Sequence, residues 1–364
     1  MAFGQYWGTW VILVFEFQRA HSISDANLGL HYAVLSITSI LVLSLIAPRL
    51  QPIALSVVLP VALGSLGVAT VLIAYVRGWA LIPAFALVGA GSGLIDVFMN
   101  VAAQQTEVRV RKPVLQWMHA SYAVGGIVGA VAAAAILKGG AQWFRVGIAL
   151  PGLSLLATAI WNARTAPNAR NEPAKAPGLS FSALIRSPAL WIPATIVLFA
   201  FLVEGSMDTW SGLYLRAELH ASAVAAATAF VAFSAAVALG RLFAGRVLFG
   251  LGLRKTVLVA GFGAAAGGAL TVATSDPAIV AVAFLILGFT LASAGPAGFG
   301  LVEHSGEDPT HAIAAVTTIG YTGFIWSPPL GWLAQTFSLR IAMAAILVAT
   351  VGIIVGGLAA PRDA

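Results

Sequence analysis

The stretch Gly89-Ala90-Gly91-Ser92-Gly93-Leu94-Ile95-Asp96-Val97-Phe98-Met99-Asn100 decides what kind of molecule this chain builds. It lies inside an apolar run that starts near Leu81 and reaches about Ala103. A helix of roughly 20 apolar residues crosses the hydrocarbon core of a bilayer. One carboxylate, Asp96, stands within that run. A charge in hydrocarbon is costly unless it faces protein or water, so Asp96 marks either a solute or proton pathway or a packed contact between helices. Asp96 and Asn100 are four residues apart and share one helix face, with Gly89 and Gly93 on much the same side. That face joins small residues, which let helices approach closely, to two polar groups.

Working outward, the composition carries the same message. Of 364 residues, 60% are hydrophobic and 9% charged, against about 25% charged in a soluble domain. The chain therefore reads as an integral membrane protein, all α. It has no Cys, which excludes disulfides and thiolate metal sites. The net charge of +6 does not point to nucleic acid, because the basic residues sit in short loops between apolar runs, a topology signal. Met1 runs straight into an apolar helix with neither a basic n-region nor an A-x-A site, so no cleavable signal peptide is expected.

About twelve spans are predicted: Ala2–Phe17, Ala26–Ala47, Ile53–Tyr75, Leu81–Ala103, Val114–Leu137, Phe144–Asn162, Leu190–Leu213, Ala223–Phe243, Thr256–Thr274, Ala278–Leu301, Ile313–Gln335 and Leu339–Leu358. The first is short: its sixteen residues reach about 24 Å, less than the roughly 30 Å core. The longest polar interval is rich in Pro and charge and reads as a linker. It divides a six-helix bundle at 1–162 from another at 189–364, with 163–188 cytoplasmic and Phe181–Ile185 a short surface helix within it. That orientation places thirteen of the nineteen Lys and Arg residues on the cytoplasmic side, with both termini. A faint repeat supports the division. Thr9-Trp10 and Thr209-Trp210 precede His21-Ser22-Ile23-Ser24 and His220-Ala221-Ser222 in spans one and seven. On this alignment Asp96 corresponds to the Gly295 region, so the polar site is not duplicated.

A second polar pair stands in span seven. Glu204 and Asp208 share a face with Ser211 and are placed toward the outer end of that span. Two carboxylates one turn apart resist joint ionisation, which suits a proton-binding pair with Glu204 as its buried member and proton carrier. The alternative is a hydrated helix end. Glu16, near the end of span one, is expected to be hydrated or paired with Arg19. Enzyme motifs are missing: there is no P-loop, no Gly-x-Ser-x-Gly elbow and no second His at metal-ligand spacing from His304.

Twelve spans, a six-plus-six division and a basic middle linker resemble the major facilitator superfamily. Gly240-Arg241-Leu242-Phe243-Ala244-Gly245-Arg246, with Gly252-Leu253-Arg254-Lys255 after it, is similar to that superfamily's signature in the loop after span eight. The resemblance implies a gating loop at Gly240, Arg241, Arg246, Arg254 and Lys255, although Gly245 stands where an acidic residue is usual. A narrower resemblance, to the MosC-like or YbjJ-type branch, rests on four further stretches. These are Gly93–Asn100, His119 with Gly125-Gly126, Glu204–Ser211, and Gly320–Phe324 with Pro328-Pro329. Span one lines the pore in this superfamily, so the resemblance adds Gln5 and Trp10 to the pathway, and the quoted stretches add Trp210 and Tyr321. Span five lacks the Gly-Pro signature of drug antiporters, which lowers multidrug export.

The implied function is secondary active transport of a small polar organic solute, sugar-like or a related metabolite, by alternating access across the bacterial inner membrane and coupled to protons. The expected partners are the solute, protons and the lipid bilayer, with no nucleic acid and a monomeric state. No cofactor, catalytic residue or metal is expected. The alternatives are drug or metabolite efflux and, in another class, a non-transporting sensor or a membrane-embedded enzyme.

Overall fold

The structure is a computed structural model that describes residues 1–112, 114–165 and 187–362. The described residues contain no strand and divide into two compact units, Met1–Ala176 and Pro177–Ala364. The first unit holds α1 (Ala2–His21), α2 (Asp25–Leu50), α3 (Leu55–Tyr75), α4 (Leu81–Val110), α5 (Val114–Lys138) and α6 (Phe144–Thr165). The second holds α7 (Trp191–Leu213), α8 (Ala223–Leu251), α9 (Leu253–Ala273), α10 (Pro277–Ser305), α11 (309–336) and α12 (Leu339–Ala359). Ten of these helical stretches are long and apolar enough to cross a membrane. The other two are α1, diluted by Gln5, Glu16, Gln18 and Arg19, and α11, which is interrupted. The middle of the expected linker, with the Phe181–Ile185 surface helix, lies outside the described residues.

In the first unit, glycines set the spacing between helices. A Cβ on Gly8 of α1 would fall 1.9 Å from the Gly126 carbonyl of α5, and one on Gly89 of α4 would fall 2.1 Å from the Leu35 carbonyl of α2. Neither approach is open to any other residue. Backbones this close maximise dispersion contacts, which hold helices together where lipid removes the hydrophobic drive. The interior holds Trp10, Phe17, Tyr32 and Phe85, with the Trp10 indole donating to the Tyr32 hydroxyl at 2.9 Å. Buried hydroxyls turn back onto their own helices: Thr70 donates to the Leu66 carbonyl at 2.7 Å. That removes the cost of an unpaired polar group.

Three expectations for this unit need correction. The first span does not stop at Phe17. It runs twenty residues, about 30 Å, until Ser22 adopts a left-handed φ of 53° and closes the helix. Glu16 is not hydrated but buried, at 6% exposure. Trp10, 2% exposed, is a buried side chain packed among Phe17, Tyr32 and Phe85.

The second unit repeats the α1–α2 junction. His220 takes a φ of 51°, as Ser22 does, and Ser222 caps the next helix through the Ala225 N–H as Ser24 caps α2 through Asn27. Helices α9 and α12 tie each other's ends. Arg254, in the first turn of α9, donates to the Gly357 and Leu358 carbonyls at the end of α12. Arg340, in the first turn of α12, donates to the Val272 and Thr274 carbonyls at the end of α9. Each arginine satisfies carbonyls that have no intrahelical partner.

Two spans of this unit are broken for the same reason. Pro296 has no N–H to offer the Ala292 carbonyl, and α10 opens at Ala292-Ser293. Pro328 and Pro329 likewise leave the carbonyls of Phe324 and Ile325 without their usual donors, and α11 tightens into a 3₁₀ turn at Gly323–Trp326. The bend expected from Pro328-Pro329 falls where this 3₁₀ turn interrupts the span.

Candidate functional site

The site of the second unit is built on one stripe of α7. Phe201, Glu204, Gly205 and Asp208 follow at helical spacing and share a face, with Ser211 one further turn on. The Glu204 carboxylate accepts from the Arg241 guanidinium of α8 at 2.6 Å. The two side chains are 26% and 46% exposed. Asp208 lies one turn from Glu204 and within the electrostatic reach of both partners.

Arg241 corrects the sequence reading most. Gly240, Arg241 and Arg246 do not form the expected gating loop, because α8 continues unbroken to Leu251. The reversal comes at Gly252, whose φ of 78° is open to glycine and strained for other residues. Gly240 is a packing glycine: a Cβ there would meet the Phe289 carbonyl of α10 at 2.5 Å. Arg254 is the end-cap of α12 described above, and Arg246 lies over the Phe243 ring at 5.7 Å. Lys255 is exposed in the first turn of α9. Glu204 also shifts in depth. A wide helical turn at Tyr214–Glu218 extends the span past Leu213, so Glu204 and Asp208 lie toward the middle of a helical stretch from Pro188 to Glu218 and not at its outer end.

The broken spans supply the aromatic part. The 3₁₀ turn of α11 brings Phe324 onto α7, where a Cβ at Gly205 would fall 2.3 Å from the Phe324 ring. Phe201 and Phe324 stack with centroids 5.5 Å apart, and Tyr321 closes the trio at 5.8 and 5.9 Å. Gly295 of α10 and Gly320 of α11 flank Phe201, with would-be Cβ distances of 3.9 and 3.3 Å. Glu204, Asp208 and Arg241 therefore come together in the second unit, and Tyr321 packs against Phe201 of the same α7 stripe. Trp210, at 2% exposure, is buried. Phe201 escaped the sequence reading, though its spacing from Glu204 and Asp208 signals a shared face.

In the first unit, Gly89 and Gly93 serve helix packing against Leu35 and Ser39 of α2. Asp96 follows one turn later, partly buried. Asn100 directs its amide to the Asp96 carbonyl at 2.6 Å, so this donor is held by its own helix. Gln5 presents its backbone carbonyl to Gly129 of α5. Among the described residues no group of three His, Asp or Glu side chains could hold a metal ion.

The comparisons with known proteins agree with this architecture. The chain is 29% identical over 262 residues to an uncharacterised MFS-type transporter of Yersinia pestis, a match covering 71% of this chain and 66% of that protein. It is 23% identical over 357 residues to the membrane protein MosC of Rhizobium meliloti, covering 95% of this chain and 84% of MosC. Among solved structures, the nucleoside transporter NupG superposes with a TM-score of 0.76 at 14% identity, covering 98% of this chain and 96% of that one. A bacterial homologue of the human lysosomal transporter Spinster, inward-facing and occupied, gives 0.72 at 13% identity, covering 98% and 93%. Both structural likenesses concern the fold. The family model of the Major Facilitator Superfamily matches residues 1–328, and the chain belongs to that superfamily of multi-pass membrane transporters, with MosC among its relatives.

Proposed function

We propose that the chain is a secondary active transporter of a small polar organic solute, working by alternating access, and that the α7–α8 site carries the solute and a coupled proton. The observation behind this is the Glu204–Arg241 pair, placed well inside two membrane-spanning helices with both side chains accessible. Charged groups at that depth do not face hydrocarbon, so the accessible side meets water or solute. Asp208 is the better proton carrier of the two acids, because Glu204 already has a cationic partner at 2.6 Å. Within the first unit, Asp96 and Asn100 of α4 are the proposed pathway residues. The distribution of Lys and Arg supports cytoplasmic termini, and the all-helical build suits the bacterial inner membrane.

Proteoliposomes loaded with a pH dye test this reading against a solute library. Wild type moves protons with solute. Asp208→Asn keeps solute exchange and loses proton movement, and Asp96→Asn lowers transport severely at unchanged expression. Solute flux with no proton movement at any pH removes the coupling, and wild-type flux in Asp96→Asn reduces that helix face to packing.

A further inference from the structure

The turn between α4 and α5 carries charge that the fold leaves unused. α4 runs thirty residues, Leu81–Val110, about 45 Å at the helical rise. The exposed Trp79 stands just before it, as aromatic residues do at the headgroup level. The hydrocarbon core and both headgroup layers together measure about 40–45 Å, so a helix of this length that starts in one layer finishes in the other. There Arg109, Arg111 and Lys112 follow within four positions, all exposed. Val108, Val110 and Trp117 keep exposed apolar surface beside them, the last in the first turn of α5. The only acid of the turn is Glu107. Its carboxylate accepts from the Leu115 N–H of α5 at 3.0 Å, and its carbonyl from the Arg111 N–H at 2.7 Å. The carboxylate is thus given to the start of α5, whose amides have no intrahelical partner, and it fixes the turn without neutralising it. Other arginines serve the fold: Arg49 donates to the Leu45 carbonyl, Arg241 to Glu204, Arg254 to the end of α12 and Arg340 to the end of α9. Among the described residues, Arg109, Arg111 and Lys112 enter no ion pair.

We propose that this turn binds an anionic phospholipid of the surrounding leaflet, with the phosphodiester on Arg109, Arg111 and Lys112 and the upper acyl chains on Val108, Val110 and Trp117. A guanidinium presents paired N–H donors to two phosphate oxygens, and Lys112 adds a point charge. A zwitterionic lipid carries the same phosphate with an ammonium that cancels it, so the turn selects net negative charge. The inference is independent of the solute and of the coupling ion.

Native mass spectrometry of the purified full chain in neutral detergent tests it. Dissociation constants are measured for phosphatidylglycerol and phosphatidylcholine with matched acyl chains, and soluble glycerol 3-phosphate serves as competitor. Phosphatidylglycerol binds about 100-fold more tightly, at about fivefold for each cation near the surface, and added salt shrinks the difference. The Arg109→Gln/Arg111→Gln/Lys112→Gln variant loses the preference. Arg77→Gln/Lys138→Gln, which removes two exposed cations elsewhere in the first unit, keeps it. Thermal unfolding without added lipid checks that each variant is folded. If the triple variant is not, the three single variants take its place, each weakening phosphatidylglycerol about fivefold. Equal binding of the two lipids overturns the inference, as does a preference that survives loss of the three cations or falls equally in the Arg77/Lys138 variant. Displacement of the lipid by soluble glycerol 3-phosphate also overturns it, because the turn is then a site for free phosphate.

Discussion

At the scale of single residues, the Glu204–Arg241 pair is the most exposed to test. Breaking a partly buried pair leaves one charge without its partner, whereas neutralising both removes the problem. Because both side chains are accessible in part, screening reduces the effect below that of a fully buried pair. Glu204→Gln and Arg241→Gln should each destabilise by about 1–3 kcal/mol, and the double variant should lie closer to wild type than either. Thermal unfolding of the four proteins closes the cycle. Additive losses would mean that the contact contributes nothing.

At the scale of elements, two glycines of α8 make opposite predictions. A Cβ at Gly240 would meet the Phe289 carbonyl at 2.5 Å and the Ala292 side chain at 2.7 Å, so Gly240→Ala overpacks the α8–α10 contact and costs about 1–3 kcal/mol. Gly245 has nothing within 4 Å, so Gly245→Ala gains helix propensity and stabilises by about 0.5–1 kcal/mol. Midpoints that move in the same direction would contradict the continuous α8. The broken spans follow a different logic. Their interruptions sit four residues before Pro296, Pro328 and Pro329, where a carbonyl loses its donor. In α11 the altered turn places Phe324 and Tyr321 on α7, so the same prolines that weaken the helix assemble the aromatic wall.

At the scale of the whole molecule, the expected orientation is cytoplasmic for both termini. The charge distribution supports it even with Arg241 withdrawn from the loops, since twelve of the other eighteen Lys and Arg residues still fall on the cytoplasmic side. Reporter fusions at Ala174 and Asp276 check it, with the first reading cytoplasm and the second the outside. The reverse pattern would invert the assignment.

Membrane class, all-helical architecture and most span positions were legible in the chain because bilayer thickness fixes how long an apolar run must be, and composition states that directly. The boundary between the two compact units falls within the polar interval after Asn162, and the repeated His and Ser residues marked junctions that the structure closes alike. The packing role of Gly89 and Gly93 followed from their spacing. The site resisted for a physical reason. An arginine inside an apolar run reads as a loop residue when its partner is unseen, and Glu204 lies 37 positions away on another helix. Burial of Glu16 and Trp10 likewise depends on what neighbouring helices present and not on local pattern. Run length is a property of one segment, whereas a charge or a ring inside a membrane is placed by its neighbours in space, and those neighbours exist only once the helices have packed.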